Sequence, residues 1–317
     1  MKSYFFIVLI CLGACQLDLK KKARDTAQTY RISAAPLDTA EFGYDIESET
    51  RFETEVDGKE VENQTTSVIG VQCRVRRDSL RNYIIDLTYD KVLIRTNNNG
   101  QKTELNAENA ARSANPVEKL LGYLKGAKLT AVLNEKGQTK EVKGYKELGD
   151  QILASFASND AYGKAAAQKQ WEGMMRQQLV DNNLTHLFRF FPDSLVRVGD
   201  KWSHTTEQKD HFHLLIDNTY TLEDIEGGIA IIQVKGKIRT NENATPVAGF
   251  PVAADLAGEQ EGEYQVDMAT GLAVQSVLSS TTEGKIQTMG KEVPIMIKNN
   301  VTIRRRTPAK TASLSSY

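Results

Sequence analysis

Tyr83-Ile84-Ile85-Asp86-Leu87-Thr88-Tyr89, continued by residues 90–94, is the stretch that decides the fold class. β-Branched and aromatic side chains dominate it, and Asp86 and Thr88 fall between apolar neighbours, which suits a pleated strand better than a helix. Upstream, residues 68–75 form the end of a strand returning from the Asp57-Gly58 turn. Before that turn Phe42, Tyr44 and Ile46 alternate with charged or small residues. These segments make a hairpin followed by a third strand that leaves at Asn97-Asn98-Asn99-Gly100. Downstream, Asn115-Pro116 opens a helix with Val117, Leu120, Leu121 and Leu124 at i, i+3, i+4 and i+7, closed by Gly126. Residues 129–133 and 138–142, around Glu135-Lys136-Gly137, predict another hairpin.

The second half of the chain repeats this order. Residues 211–222 are strand-like, Gly227-Gly228 turns, residues 229–240 return, and residues 263–267 with 272–278 form a hairpin. Ile84-Ile85 and Ile94-Arg95-Thr96-Asn97 are echoed by Ile231-Ile232 and Ile238-Arg239-Thr240-Asn241, which is compatible with a duplication. Between the halves, Tyr145, Leu148, Ile152 and Phe156 share one helical stripe. A second helix is expected through Trp171, Met174, Met175, Leu179, Leu184, Leu187 and Phe188, stopped by Pro192. The expected class is α+β: antiparallel sheet in two similar halves, residues 39–144 and 192–306, around a helical segment at 145–191. Residues 307–317 form a polar tail, expected to be disordered.

A chain of 317 residues holds one large domain or two modest ones. Its 40 Lys and Arg balance 41 Asp and Glu, so no basic footprint for nucleic acid exists. The N-terminus is more informative. Lys2 precedes an unbroken apolar run over residues 4–12, too short to span a bilayer and of the length of a signal-peptide core.

Leu12-Gly13-Ala14-Cys15 resembles the lipobox of bacterial lipoproteins, in which the cysteine receives a thioether-linked diacylglycerol. The resemblance implies a signal peptide at 1–14, lipidated Cys15, and a tether at 15–38 that holds the protein to the membrane. Gln16 in place of Asp points to the outer membrane, and the basic Lys20, Lys21, Lys22 and Arg24 favour a periplasm-facing protein. Cys11 leaves with the signal, so Cys73 is the single remaining thiol, read as a small buried residue on a strand.

Further motifs run along the chain: Asn134-Glu135-Lys136-Gly137 leading to Val142-Lys143-Gly144, Phe191-Pro192-Asp193-Ser194 leading to Val198-Gly199-Asp200-Lys201-Trp202, and Gly258, Gly262, Val266-Asp267 and Thr270-Gly271-Leu272. Together with the closing run at 290–303 they resemble a family of bacterial envelope lipoproteins of unknown function. The resemblance brings no catalytic residues, and tight turns plus a buried ring at Trp202 explain these motifs structurally. By looser analogy, curved antiparallel sheets look like the half-barrels of envelope lipoprotein and lipid carriers.

No nucleophile elbow, phosphate-binding loop, metalloprotease helix or paired Cys-x-x-Cys occurs, so no enzyme and no cofactor are expected. The leading expectation is a non-catalytic module for a hydrophobic or amphipathic ligand, with Trp171, Met174 and Met175 on the cavity wall. A structural or assembly partner in the envelope is the alternative. A third reading rests on His204, His211 and His213: if residues 201–206 pair with 211–216, His204 lies opposite His213, and three imidazoles converge on a metal ion.

Overall fold

The computed structural model describes residues 28–33, 41–56, 58–135, 137–155, 186–188, 190–208, 212–241, 254–288 and 290–306. Cys15, Trp171, Met174, Met175 and His211 lie outside the described residues. The strands are β1 (Glu41–Val56), β2 (Lys59–Arg77), β3 (Tyr83–Asn98), β4 (Gln101–Asn106), β5 (Lys128–Leu133), β6 (Thr139–Lys143), β7 (Lys201–Gln208), β8 (Leu214–Glu226), β9 (Ile229–Thr240), β10 (Ala254–Asp267), β11 (Leu272–Thr288) and β12 (Lys291–Arg306). Helix α1 (Pro116–Leu124) precedes β5, and α2 (Tyr145–Ser155) follows β6.

The protein is mostly antiparallel β, which corrects the α+β expectation of two β halves around a helical middle. All twelve strands of the described residues belong to one open sheet, ordered β6-β5-β3-β2-β1-β12-β11-β10-β9-β8-β7, with β4 on β3. The halves fuse where β1 pairs with β12, in unbroken register from Gly43↔Arg306 to Thr54↔Ile295. Alternation identifies a strand but not its partner, and this pairing joins segments about 250 residues apart in sequence.

Locally the elements form for the expected reasons. Asn115 caps α1 by accepting the Val117 N–H at 2.9 Å, and Pro116 fills the first turn, where its missing N–H costs nothing. Gly126 (φ +83) ends the helix, and Gly58 (φ +75) and Gly227-Gly228 (φ +56 and +83) make the hairpin turns. Leu121 and Leu124 of α1, Leu148 and Ile152 of α2, and Leu187 and Phe188 join the sheet in one buried cluster.

Strand parity puts Tyr44, Val71, Leu87, Leu222, Ile232, Tyr264 and Ile303 on the same sheet face, here called inner. The sheet curls about that face. Tyr83 of β3 lies 6.3 Å from Phe191, Phe191 lies 4.6 Å from Phe190, and Phe190 lies 4.7 Å from Tyr264 of β10. Five strand spacings would hold β3 and β10 about 24 Å apart in a flat sheet. Glycines permit the coiling: a Cβ at Gly258, Gly262 or Gly284 would collide with Thr281 O, Val277 O or Asp255 O on the paired strand.

Candidate functional site

The inner face divides into three zones along the strands. One end is the main core, where Phe188, Phe190 and Phe191 are at most 4% exposed against Tyr83, Tyr220 and Tyr264. At the other end Leu214, Ile238, Leu256 and Ile295 are buried together, with Phe52, Phe212, Ile216, Ala254, Ile286 and Ile297 packed around them. Every member of this distal cluster comes from a strand or from Phe212 in the β7–β8 turn, and no described helix contributes.

Between the two lies a polar belt at right angles to the strands. Successive registered partners across ten strands are Thr103, Thr96, Thr65, Thr50, Asn299, Ser280, Gln260, Gly236, Asn218 and His204. Ser48 and Thr50 hydroxyls donate to Asn299 Oδ1 at 3.2 and 3.1 Å, and Gln260 Nε2 donates to buried Asn218 Oδ1 at 3.1 Å. A Cβ at Gly236 would collide with that same oxygen. No residue of the belt carries a carboxylate, ammonium or guanidinium.

The sequence motifs hold this face in shape. Trp202 stacks on Tyr220 at 5.7 Å and 15°, and its indole N–H donates to Phe190 O at 2.8 Å. Gly199 (φ +95) turns the chain into β7 and donates its N–H to Leu222 O, while Asp200 Oδ2 accepts the Arg197 N–H at 2.8 Å. Gly271 (φ +68) closes the β10–β11 turn on Asp267 O. Asp267 receives Arg305 Nη2 at 3.1 Å. Desolvation raises the Asp267 pKa, but hydrogen bonds from the Ala269 amide, Arg305 and Thr270 outweigh it and leave the carboxyl below its ordinary range.

The histidine site is corrected by the register. His204 lies opposite Asn218, not His213, because β7 runs on to Gln208 and pairs there with Leu214. Four strand steps lead from His204 to Gln208, so His213, beyond the paired end, is roughly 13 Å or more away. His204 Nε2 meets Phe191 O at 2.6 Å. His213 sits in the turn at φ +46, its carbonyl accepting the Asn241 N–H at 2.7 Å. Among the described residues no group of three His, Cys, Asp or Glu side chains is placed to hold a metal ion. Cys73 is buried on β2, and burial pushes its thiol up to about 12, which removes it as a nucleophile at neutral pH. Sequence reasoning missed the belt, whose members read singly as polar interruptions of apolar strands.

The family described as "Family of unknown function (DUF6263)" matches residues 81–273, and the chain belongs to it. The matched span contains the 134–144, 191–202 and 258–272 motifs. No curated protein matches the chain. A solved structure of lipid-protein interactions in lipovitellin is similar with a TM-score of 0.48 at 5% identity, covering 84% of this chain and 25% of that one. This chain thus spans a quarter of lipovitellin. MucB in complex with MucA(peri) follows at a TM-score of 0.11 and 8% identity, covering 83% and 93% of the two chains. The MucA/MucB complex of Pseudomonas aeruginosa stands at 0.10 and 8%, covering 83% and 94%.

Proposed function

We propose that this member of the DUF6263 family is a non-catalytic, membrane-anchored envelope lipoprotein that holds a hydrophobic or amphipathic ligand on the inner face of its curled sheet. The observation that carries the reading is the distal apolar cluster. It lies on the same face as the main core yet is separated from it by a polar belt, so it does not extend that core. Leu214, Ile238, Leu256 and Ile295 at its centre are buried, while Phe52, Phe212, Ile216, Ile286 and Ile297 around them are only partly buried and offer apolar surface to a ligand. Trp171, Met174 and Met175 stay as proposed wall residues.

Lipidation at Cys15 would place the module at the outer membrane, facing the periplasm. Tyr30 is tied to Val196 by a two-way backbone bridge of 2.7 and 2.9 Å, and Ile32 is buried, so the tether ends there. The stretch from Cys15 to Tyr30 reaches at most about 50 Å when fully extended. The sheet therefore works within one protein diameter or so of the bilayer.

Native mass spectrometry of the full chain purified from membranes tests the reading. Copurified lipid is expected on the wild type and is lost from the Ile238→Glu variant, provided circular dichroism shows the sheet retained. A lipid-free chain that copurifies with a stoichiometric envelope protein would support the assembly reading instead. Cys15→Ala should abolish acyl labelling and membrane fractionation; unchanged labelling overturns the anchor.

A further inference from the structure

We infer that the ligand of this face is an amphipath with an electrically neutral hydrogen-bonding group, such as an ester, placed at the belt while its hydrocarbon lies on the distal cluster. The inference rests on the ligand-binding reading above and goes beyond it by naming the chemistry. Ten registered positions across β4, β3, β2, β1, β12, β11, β10, β9, β8 and β7 are Thr, Asn, Ser, Gln, Gly or His, and none bears a permanent charge.

The next inner-face positions toward the distal cluster are also uncharged: Phe52, Ile297, Thr282, Gly258, Ile238 and Ile216. An ionised carboxylate or phosphate held there would lose its water without gaining a cation, whereas an ester or hydroxyl would meet partners of its own kind. Those partners have capacity to spare. Asn299 spends its Oδ1 on Ser48 and Thr50 and keeps both amide N–H groups, and the Ser280 hydroxyl beside it is also unengaged among the described residues. Two donors next to each other on adjacent strands suit a carbonyl oxygen.

Charged side chains on this face stand at the periphery. Arg305 is already paired with Asp267 at the core end, and Lys291 begins β12 beyond the distal cluster. A single-headed amphipath with its hydrocarbon on the distal cluster therefore presents its head to the belt, where no cation meets an ionised group. The two ends of the amphipath are thus assigned by the protein: hydrocarbon on the partly buried Phe52, Ile216 and Ile297, neutral linkage on Asn299 and Ser280.

Methyl oleate and oleate share one hydrocarbon chain and differ in a neutral ester against a carboxylate, so they isolate the claim. Native mass spectrometry of the delipidated full chain with an equimolar mixture of the two at pH 8 should show methyl oleate favoured at least tenfold. Asn299→Asp, which puts a carboxylate in the belt, should cut methyl oleate binding at least tenfold, while Asn299→Gln keeps most of it. Ser280→Asp gives the same reading on a neighbouring strand if Asn299→Asp fails to fold. Equal binding of the two probes, or preference for oleate, overturns the neutral-linkage inference and leaves the ligand-binding reading standing. Binding of neither overturns both.

Discussion

Removing the Arg306 guanidinium should loosen the seam at which the first and last strands meet. Arg306 leaves the outer face of β12 over Gly43, where an added Cβ would lie 2.8 Å from its Nε. It then crosses β2 to reach Asp90 of β3, with Nη1 at 2.8 Å from Oδ2 and Nη2 at 3.2 Å from Oδ1. Nη2 also donates to the carbonyls of Tyr44 and Val71 at 3.2 and 3.0 Å, and Gln72 Nε2 supports Asp90 at 3.0 Å. Asp90 is the extra residue of the β3 bulge, which lets its carboxylate face the clasp. One side chain thus ties β12, β1, β2 and β3.

Charge-assisted bonds contribute about 1.5–3 kcal/mol each, and the two side chains, 31% and 32% exposed, are only partly screened. Arg306→Ala is therefore expected to cost about 2–3 kcal/mol, and the Arg306→Ala/Asp90→Ala cycle to show a coupling of about 1–2 kcal/mol. Urea unfolding of the four proteins measures both, with slopes compared to confirm that the native and unfolded ensembles are unchanged. The exposed Lys285–Glu292 pair, at 64% and 59%, serves as the contrast, and Lys285→Ala should move stability by less than about 0.5 kcal/mol. A coupling under about 0.3 kcal/mol would refute the clasp and leave the seam to its backbone ladder and inner-face packing alone.

Trp202→Phe keeps the stack on Tyr220 but leaves Phe190 O without its donor, and should cost about 1–2 kcal/mol in the same assay; an unchanged midpoint would remove the latch. Gly284→Ala places a Cβ against Asp255 O at φ +152 and should cost at least about 2 kcal/mol, with near-neutrality denying that glycine lets β10 and β11 coil together. Burial pushes His186 down to about 4, below its unfolded value near 6.5, so the unfolded chain binds the extra proton. The stability from neutral His186 is therefore complete above about pH 6.5 and is lost as pH falls toward about 4. His186→Leu should flatten that slope, and a wild-type stability constant across the window would contradict it.

Much of the local structure was legible. The turns at Gly58 and Gly227-Gly228, the third strand at 83–94, the capped helix after Asn115 and the paired strands at 128–133 and 139–143 all depend on neighbours within a few residues, which sequence displays directly. Assembly was not. The echo between residues 84–97 and 231–241 and the helical stripe at 145–156 suggested two halves around a helical layer. Only the register of β1 with β12 shows that the halves share a sheet. The histidine site failed for a related reason: extending β7 by two residues, to Gln208, and holding His213 at positive φ moved the pairing from His213 to Asn218. A register error in a hairpin leaves every residue a strand residue and changes every partner.

The belt follows from the same rule. Thr50, Asn299, Ser280 and Gln260 each interrupt an apolar alternation, and taken strand by strand they weaken the case for a buried face. Alignment reverses their meaning. Polar residues scattered along a buried face would each need a local partner, but residues placed side by side on successive strands supply one another, as Ser48, Thr50 and Asn299 do. A sheet can therefore carry a hydrogen-bonding line across an otherwise apolar face, and the line separates the main core from the distal cluster to which the proposed ligand is assigned. The register of the six strands that carry the distal cluster, β1 and β8 to β12, fixes that division, and a one-residue slip in any of them would turn its share of the cluster and of the belt to the outer face.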